Sequence, residues 1–380
     1  MRRIAVLTLV FLFCLVLTAS PQVQPQAKII TFDVPVADEF TPHSGTFPCC
    51  INTVGFITGT YLDANGVRHG FLRAPNGHIT TFDVPNSAGM PAIHGMNDLG
   101  MITGDYFETD GIVHGFLRVP DGNFTSFDGP GAGLWPWSYE WGGTAPRSIN
   151  QLGVTAGNYL DGNGTAHGFV RTPDGKITVI DAPGGGPYFW QGTWINSINL
   201  WGALSGGVVD SGGVGHQFVR TPRGTYEIYN DAPDAVTGQT FSTSINVEGA
   251  VAGQYLGANE KFHGFLRTPD GKITEFDPPG ATAGTFSDGI NPFGLIVGFY
   301  GDQYSVWHGY VRTPDGKFVT FDAPGTAIGA GQGIGAACAS DQAQSVPCVA
   351  INFKGVIAGS YLDENNVSHG FVRLPQPWSW

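Results

Sequence analysis

The sequence predicts an all-β fold: a seven-bladed β-propeller of four-stranded blades, closed by an N-terminal strand that completes the last blade. Three observations carry this. One phrase recurs seven times along the 380 residues. Each copy divides into four short strand-like runs, the size of a propeller blade. The chain also opens with the tail of a copy and ends on a copy that lacks one.

The phrase reads IN..G...G.Y.......HGF.R.P.G...TFD.P. Its Asn falls at Asn52, Asn97, Asn150, Asn199, Asn246, Asn291 and Asn352, and its His at His69, His114, His167, His216, His263, His308 and His369. An Arg stands four places after each His, from Arg73 to Arg373. Within the first copy, the residues before "IN" form one strand and "GFITGTYL" (55–62) a second, which ends in the turn "DANG". "VRHGFLR" (67–73) forms a third strand, "APNG" is a Pro-X-Gly turn, and "HITTFD" (78–83) forms a fourth. No stretch sustains a helical period. Blades pack face to face, which explains Gly70, Phe71 and Leu72 side by side in one strand.

The last copy runs through "HGFVRLPQPWSW" to Trp380 and has no "TFD.P", whereas "KIITFDVP" (28–35) opens the chain without a preceding "HGF". Residues 29–33 are therefore expected as the outer strand of the seventh blade, which leaves no open blade edge. An open solenoid would leave both ends unpaired.

These phrases resemble the HAF-type extracellular repeat family, named for a His-Ala-Phe triplet. The chain carries "HGF" at most sites, "HGY" at His308 and "HQF" at His216. The resemblance covers nearly all of the chain after the leader. It implies an exported repeat protein and brings no catalytic residues.

Composition agrees with an ordered β protein. Charged residues are only 13% of the chain, and its 57 Gly do not follow a collagen period. The net charge of −13 has no basic cluster to offset it, so no nucleic-acid partner is expected. Residues 1–20 read as a signal peptide: Arg2 and Arg3, an apolar run over 4–17, then Thr18, Ala19 and Ser20. Residues 21–27 form a linker and 28–380 a single propeller domain. The apolar run is short for a membrane span, so no stable span is expected after cleavage. The protein is expected to be a monomer, secreted to the extracellular space or periplasmic. Four cysteines remain after the signal, Cys49, Cys50, Cys338 and Cys348, and an even count in an exported chain suggests disulfides. A Cys338–Cys348 bond would clamp the longest loop, and pairing to Cys49 or Cys50 would staple the two chain ends.

Counting back from the Pro-X-Gly turn places Ala74 opposite His78, Phe71 opposite Thr81 and His69 opposite Asp83. The same count pairs His114 with Asp128, His167 with Asp181, His263 with Asp277, His308 with Asp322 and His369 with Asp33. His216 reaches Asp231 only across a one-residue bulge, because that unit is one residue longer. A His–carboxylate pair is the base and orienter of many active sites. Seven equivalent copies are better read as a device that fixes strand register. The Arg series is expected to pair with carboxylates or cap carbonyls, and the Asn series to bond the local backbone. No metal or cofactor is expected: the turns lack calcium-loop spacing, and no Gly-rich loop lies between a strand and a helix.

Function is sought where copies differ, in the connections from a fourth strand to the next first strand. Four are enlarged, over 36–50, 131–148, 184–197 and 325–350. "GLWPWSYEWGG" carries Trp135, Trp137, Tyr139, Glu140 and Trp141, and "GGGPYFWQGTW" carries Tyr188 and Trp190. Trp194 is set apart as core, since Phe47, Phe241 and Phe286 share its repeat position. Exposed aromatic rings bind the apolar faces of sugars and anchor protein contacts. Together with His43 and His94 these residues suggest a non-catalytic binding propeller for a glycan or an envelope protein. One alternative is a carbohydrate-active enzyme, a polysaccharide lyase or glycoside hydrolase, in which Glu140, His43, His94, Asp38 or Glu39 supplies acid–base chemistry. A purely structural repeat protein is the other.

Overall fold

The computed structural model describes residues 27–38, 41–88, 90–109, 111–133, 142–229, 231–336 and 348–375. The signal and most of the linker read from the sequence lie outside them. Among the described residues no helix is long and apolar enough to cross a membrane.

Strand β1 (Ile29–Phe32) stands alone at the start. Unit one holds β2 to β5 (Thr46–Ile51, Ile57–Leu62, Arg68–Arg73, Ile79–Phe82) and unit two β6 to β9 (Ala92–Met96, Ile102–Phe107, Val113–Arg118, Phe124–Phe127). Unit three holds β10 to β13 (Gly143–Ile149, Thr155–Leu160, Ala166–Arg171, Ile177–Ile180) and unit four β14 to β17 (Gly192–Ile198, Leu204–Val209, Gly215–Arg220, Tyr226–Tyr229). Unit five holds β18 to β21 (Ala235–Ile245, Val251–Gly257, Phe262–Arg267, Ile273–Phe276) and unit six β22 to β25 (Gly284–Ile290, Ile296–Gly301, Trp307–Arg312, Phe318–Phe321). Unit seven holds β26 to β28 (Val349–Ile351, Ile357–Leu362, Ser368–Arg373). Within each unit neighbouring strands pair antiparallel.

The expectation of a closed seven-bladed propeller with separate four-stranded blades is corrected by the sheet topology. The strands form five separate sheets, and none closes on itself. Units two, three and four merge into one 12-stranded sheet, joined by parallel pairing of Gly143 with Val113 and of Gly192 with Ala166. The remaining sheets have four strands each. β1 pairs antiparallel with β28, Ile29 opposite Arg373 and Phe32 opposite Gly370. That sheet is open, with β1 at one edge and β26 at the other.

A glycine where the unit's first strand begins brings the backbones of neighbouring units into contact. Gly192 has φ 102°, and a Cβ there would land on the Ala166 carbonyl oxygen. Without a side chain the two backbones approach closely enough for Ala166 N–H to donate to Gln191 O at 2.8 Å. Elsewhere the same approach makes only isolated bridges, Gly45 with Ser368 and Gly333 with Trp307, and the sheets stay distinct. Strand periodicity carries no trace of backbone bonds between units.

A second recurrent glycine answers to a β-bulge. The first strands of units one to six each shift register by one residue, at Cys49, His94, Arg147, Asn196, Thr243 and Asp288. The bulge pushes a carbonyl toward the second strand, so a Cβ on Gly59 would land on Phe47 O.

Two side-chain series join the units. Each repeat Asn accepts from its own turn through Oδ1 and donates through Nδ2 to the next repeat Asn carbonyl. The relay runs Asn52 to Asn97 (3.4 Å), Asn150 (3.1 Å), Asn199 (3.1 Å), Asn246 (3.0 Å), Asn291 (3.3 Å) and Asn352 (3.4 Å), then back to Asn52 (2.8 Å). These seven hydrogen bonds form a closed circuit, although no sheet does. The Arg series stacks on the outer-strand aromatic ring of the preceding unit. Arg73 lies 4.7 Å from the Phe32 ring, Arg171 4.7 Å from Phe127, and Arg373 4.9 Å from Phe321. Burial lowers the pKa of Arg73, Arg171 and Arg373 from its ordinary value. Unit three has Ile180 at the aromatic position, and Arg220 turns instead to Tyr226 of its own unit at 5.7 Å. Of the two roles expected for the Arg series, carbonyl contact is minor, at 3.4 Å from Arg73 to Ala74 O. Among the described residues Arg267, on Glu227, shows the expected carboxylate pairing.

Candidate functional site

The connections between units and the turns from second to third strand lie at one end of the strands, and the Asn circuit lies at the other. At the first end six of the seven repeat His sit between two acceptors. His69 Nδ1 meets Asp83 at 2.5 Å, and its Nε2 faces Asp63 of the turn at 3.6 Å. Nδ1 contacts recur for His114–Asp128 (3.0 Å), His167–Asp181 (3.1 Å), His263–Asp277 (2.6 Å), His308–Asp322 (2.8 Å) and His369–Asp33 (3.0 Å). A Tyr of the second strand lies against the imidazole, as Tyr61 does on His69 at 5.0 Å. Hydrogen bonds to Asp322 and Asp33 raise the pKa of His308 and His369 above the ordinary imidazole value. With both ring nitrogens facing partners, the imidazoles lock turn to strand.

His216 departs from the expected pairing. Its Nε2 meets Asp210 at 3.1 Å, while Asp231 accepts from Gly238 N–H at 2.7 Å. β16 and β17 keep a regular register, Gln217 opposite Tyr229, so the extra residue is not absorbed by a bulge and Asp231 falls one place too far along.

At this end the loop 184–191 departs from the repeat. It is fastened to the turn after β11 and to the end of β15: Trp190 N–H donates to Gly164 O (3.0 Å), Thr165 Oγ1 to Pro187 O (2.8 Å), and Gly186 N–H to Val209 O (2.9 Å). Gln191 closes it internally, accepting from Tyr188 N–H at 3.3 Å. Trp190 takes a positive φ of 63°. That turn lays its indole flat on Trp194, with centroids 5.0 Å apart and planes at 16°. Trp194 Nε1–H donates to Trp190 O at 3.3 Å. Phe189 meets Trp190 edge-on at 5.7 Å, and Tyr188 is 67% exposed. Trp194 is thus the half-buried base of a surface stack, which corrects its reading as core.

The other sequence candidates do not all gather here. His43 is exposed on the loop before β2, where its N–H donates to Asn366 O at 2.7 Å. His94 is buried in the bulge of β6, with Nε2 2.7 Å from Asp105. Trp135, Trp137, Tyr139, Glu140 and Trp141 lie outside the described residues, as does Cys338. Cys348 is disulfide-bonded, whereas Cys49 and Cys50 are free, buried and 2.8 Å apart at sulfur. The staple from Cys49 or Cys50 to the far end of the chain is therefore not formed.

Sequence reading missed a second aromatic group. Phe241, Phe262, Phe286, Phe299 and Trp307 run across units five and six, and Phe286 stacks on Phe299 at 5.0 Å and 12°. Phe262 and Trp307 directly precede the repeat His, and only these two units carry an aromatic residue there. That was the available signal. Among the described residues no three His, Cys, Asp or Glu side chains gather as a metal site.

Asp288, in the bulge of β22, accepts from Val349 N–H at 3.0 Å. Burial pushes its pKa up to about 7. The unfolded chain ionises this carboxyl near 4. Stability is therefore lost as pH rises from about 4 to about 7, and the loss persists above that. Asp288→Asn, which keeps an acceptor oxygen, is expected to raise the melting temperature at about pH 8 and leave it nearly unchanged at about pH 4. A wild-type-like melting curve at both pH values would contradict this.

No protein-family model and no curated protein sequence matches the chain. Among solved structures it is similar to a streptogramin B lyase, at 16% identity over 92% of this chain and 98% of that one, with TM-score 0.55. It is similar to a catalytically inactive virginiamycin B lyase from Staphylococcus aureus with quinupristin, at 17% identity over 92% and 100%, TM-score 0.53. It is also similar to a lectin from Burkholderia pseudomallei, at 12% identity over 93% and 98%, TM-score 0.53. At such identities the likeness is one of fold, a propeller-like all-β arrangement that serves both binding and enzymatic proteins.

Proposed function

We propose that this chain is an exported binding protein, secreted or periplasmic, that recognises a glycan through the loop 184–191 without catalysing a reaction on it. The observation that carries this is the Trp190–Trp194 stack with Tyr188 exposed beside it. Rings held flat by backbone hydrogen bonds present a low-entropy apolar platform, which suits the apolar face of a sugar ring. The fold shared with a lectin supports the reading by analogy. The repeat imidazoles and His94 already face carboxylates, which argues against a free general base among them.

A glycan array followed by calorimetry tests this. One sugar class should bind, and Tyr188→Ala with Trp190→Ala should weaken it at least ~10-fold, the equivalent of about 1.4 kcal/mol. Undiminished binding in that double variant overturns the site. Release of reducing ends from a bound polysaccharide, lost in Glu140→Ala or His94→Ala, overturns the non-catalytic reading in favour of a lyase or hydrolase.

A further inference from the structure

The opposite end of the strands carries a feature that the binding loops do not use. Each "IN..G" turn follows the Asn circuit, and its tip bears one residue two places after the Asn. Four of these tips are large, apolar and mostly exposed: Val54 57%, Leu99 62%, Leu152 63% and Trp201 65%. Phe293 follows at 49% and packs against the 48%-exposed Phe353 at 4.9 Å. The turns also bond one another, with Thr53 N–H donating to Asp98 at 2.6 Å and Asp98 N–H to Gln151 at 2.7 Å. Turns one to three are thus bonded to one another and turns six and seven packed together, and the Asn relay sets the order of all seven around the circuit. Five exposed apolar tips at one end of the strands mark an interaction site.

The two remaining tips are charged and of opposite sign, which makes the face self-complementary. The fifth turn carries Glu248 and the seventh Lys354, both exposed. The order of the turns is set by the Asn relay, in which turn six lies between them. A two-fold axis lying in this face and passing through turn six exchanges turn five with turn seven. It also exchanges turn four with turn one and turn three with turn two. In a face-to-face pair, Glu248 of each copy then meets Lys354 of the other. Trp201 meets Val54, Leu152 meets Leu99, and Phe293 meets its own counterpart. An axis through any other turn leaves the two charges unmatched against each other.

We infer that this face pairs with a second copy of the chain, as an isologous dimer whose axis passes through the turn at Phe293. This inferred dimer departs from the monomer expected from the sequence. Loop 184–191 precedes β14 and Trp201 follows it, so the two copies present their loop ends on opposite outer surfaces.

Analytical ultracentrifugation of the full chain, in the form the expressing cell releases, tests this. The wild type should sediment as a dimer at about 0.1 mM, well above a micromolar dissociation constant. Each of Glu248→Lys and Lys354→Glu puts two like-charge pairs across the axis and should weaken association ~10-fold or more. The double reversal should return it to within about threefold of wild type. Trp201→Asp should leave a monomer with an unchanged melting temperature, since the side chain is at the surface. A monomeric wild type at that concentration overturns the inference, as does a dimer indifferent to either single reversal. Co-flotation of a monomeric wild type with phosphatidylcholine vesicles would assign the face to a bilayer instead. None of these outcomes depends on glycan binding.

Discussion

Removing residues 29–35 is expected to cost at least about 4 kcal/mol of stability or to abolish folding. β1 covers the edge of β28 along four residue pairs, Ile29 to Arg373 through Phe32 to Gly370. Its following residue Asp33 holds His369 at 3.0 Å, and Val34 is fully buried with its N–H on Thr46 Oγ1 at 3.0 Å. Phe32 carries the Arg73 guanidinium at 4.7 Å, so the deletion also strips unit one of its cation–π partner. A fully buried apolar side chain such as Val34 contributes roughly 1.5–3 kcal/mol, and the partly buried Phe32 packs against the same core cluster. The exposed β28 edge would offer itself to other chains, so aggregation should accompany the loss. Adding the peptide KIITFDVP in excess should raise the melting temperature of the truncated protein. A truncated protein that melts like the intact one would show that β1 contributes nothing.

Replacing Asn150 by Ala is expected to cost about 3 kcal/mol, the largest effect of any single side chain considered. Asn150 is buried, accepts from Leu152 and Val154 N–H at 3.0 Å each, and donates to Asn199 O at 3.1 Å. Truncation leaves three polar backbone groups without this partner, each costing roughly 1–3 kcal/mol where water cannot enter. It also opens the circuit of seven side-chain bonds. Asn150→Asp keeps the acceptor and loses the donor, so it separates the turn from the link to the next unit. Urea denaturation of both variants checks this, and a loss below about 0.5 kcal/mol for Asn150→Ala would contradict it.

The units themselves were legible because their interactions are local. A Pro-X-Gly turn sets the pairing of the two strands it joins, so counting from it places His69 beside Asp83 across only fourteen residues. The same count failed at His216, where one added residue moved Asp231 beyond the end of the pairing and left it to Gly238. Neighbour identity was not legible. The Arg series reads as charge in the sequence, yet its partner is an aromatic ring one unit back, about 40 residues away, where no local rule reaches. Trp194 shared its repeat position with Phe residues and read as core. The positive φ of Trp190 folds one indole onto the other and turns that position into a surface platform.

Strand number, strand order within a unit and the membership of β1 in the last unit follow from spacing alone, since hairpins are short and the side-chain period is two. How the units join does not. Glycines that begin β10 and β14 let backbones touch within the 12-stranded sheet, as Gly45 and Gly333 do at isolated bridges elsewhere, while side chains of Asn and Arg carry the remaining links. Those contacts depend on distances between segments far apart in the chain, and only packing in three dimensions sets them.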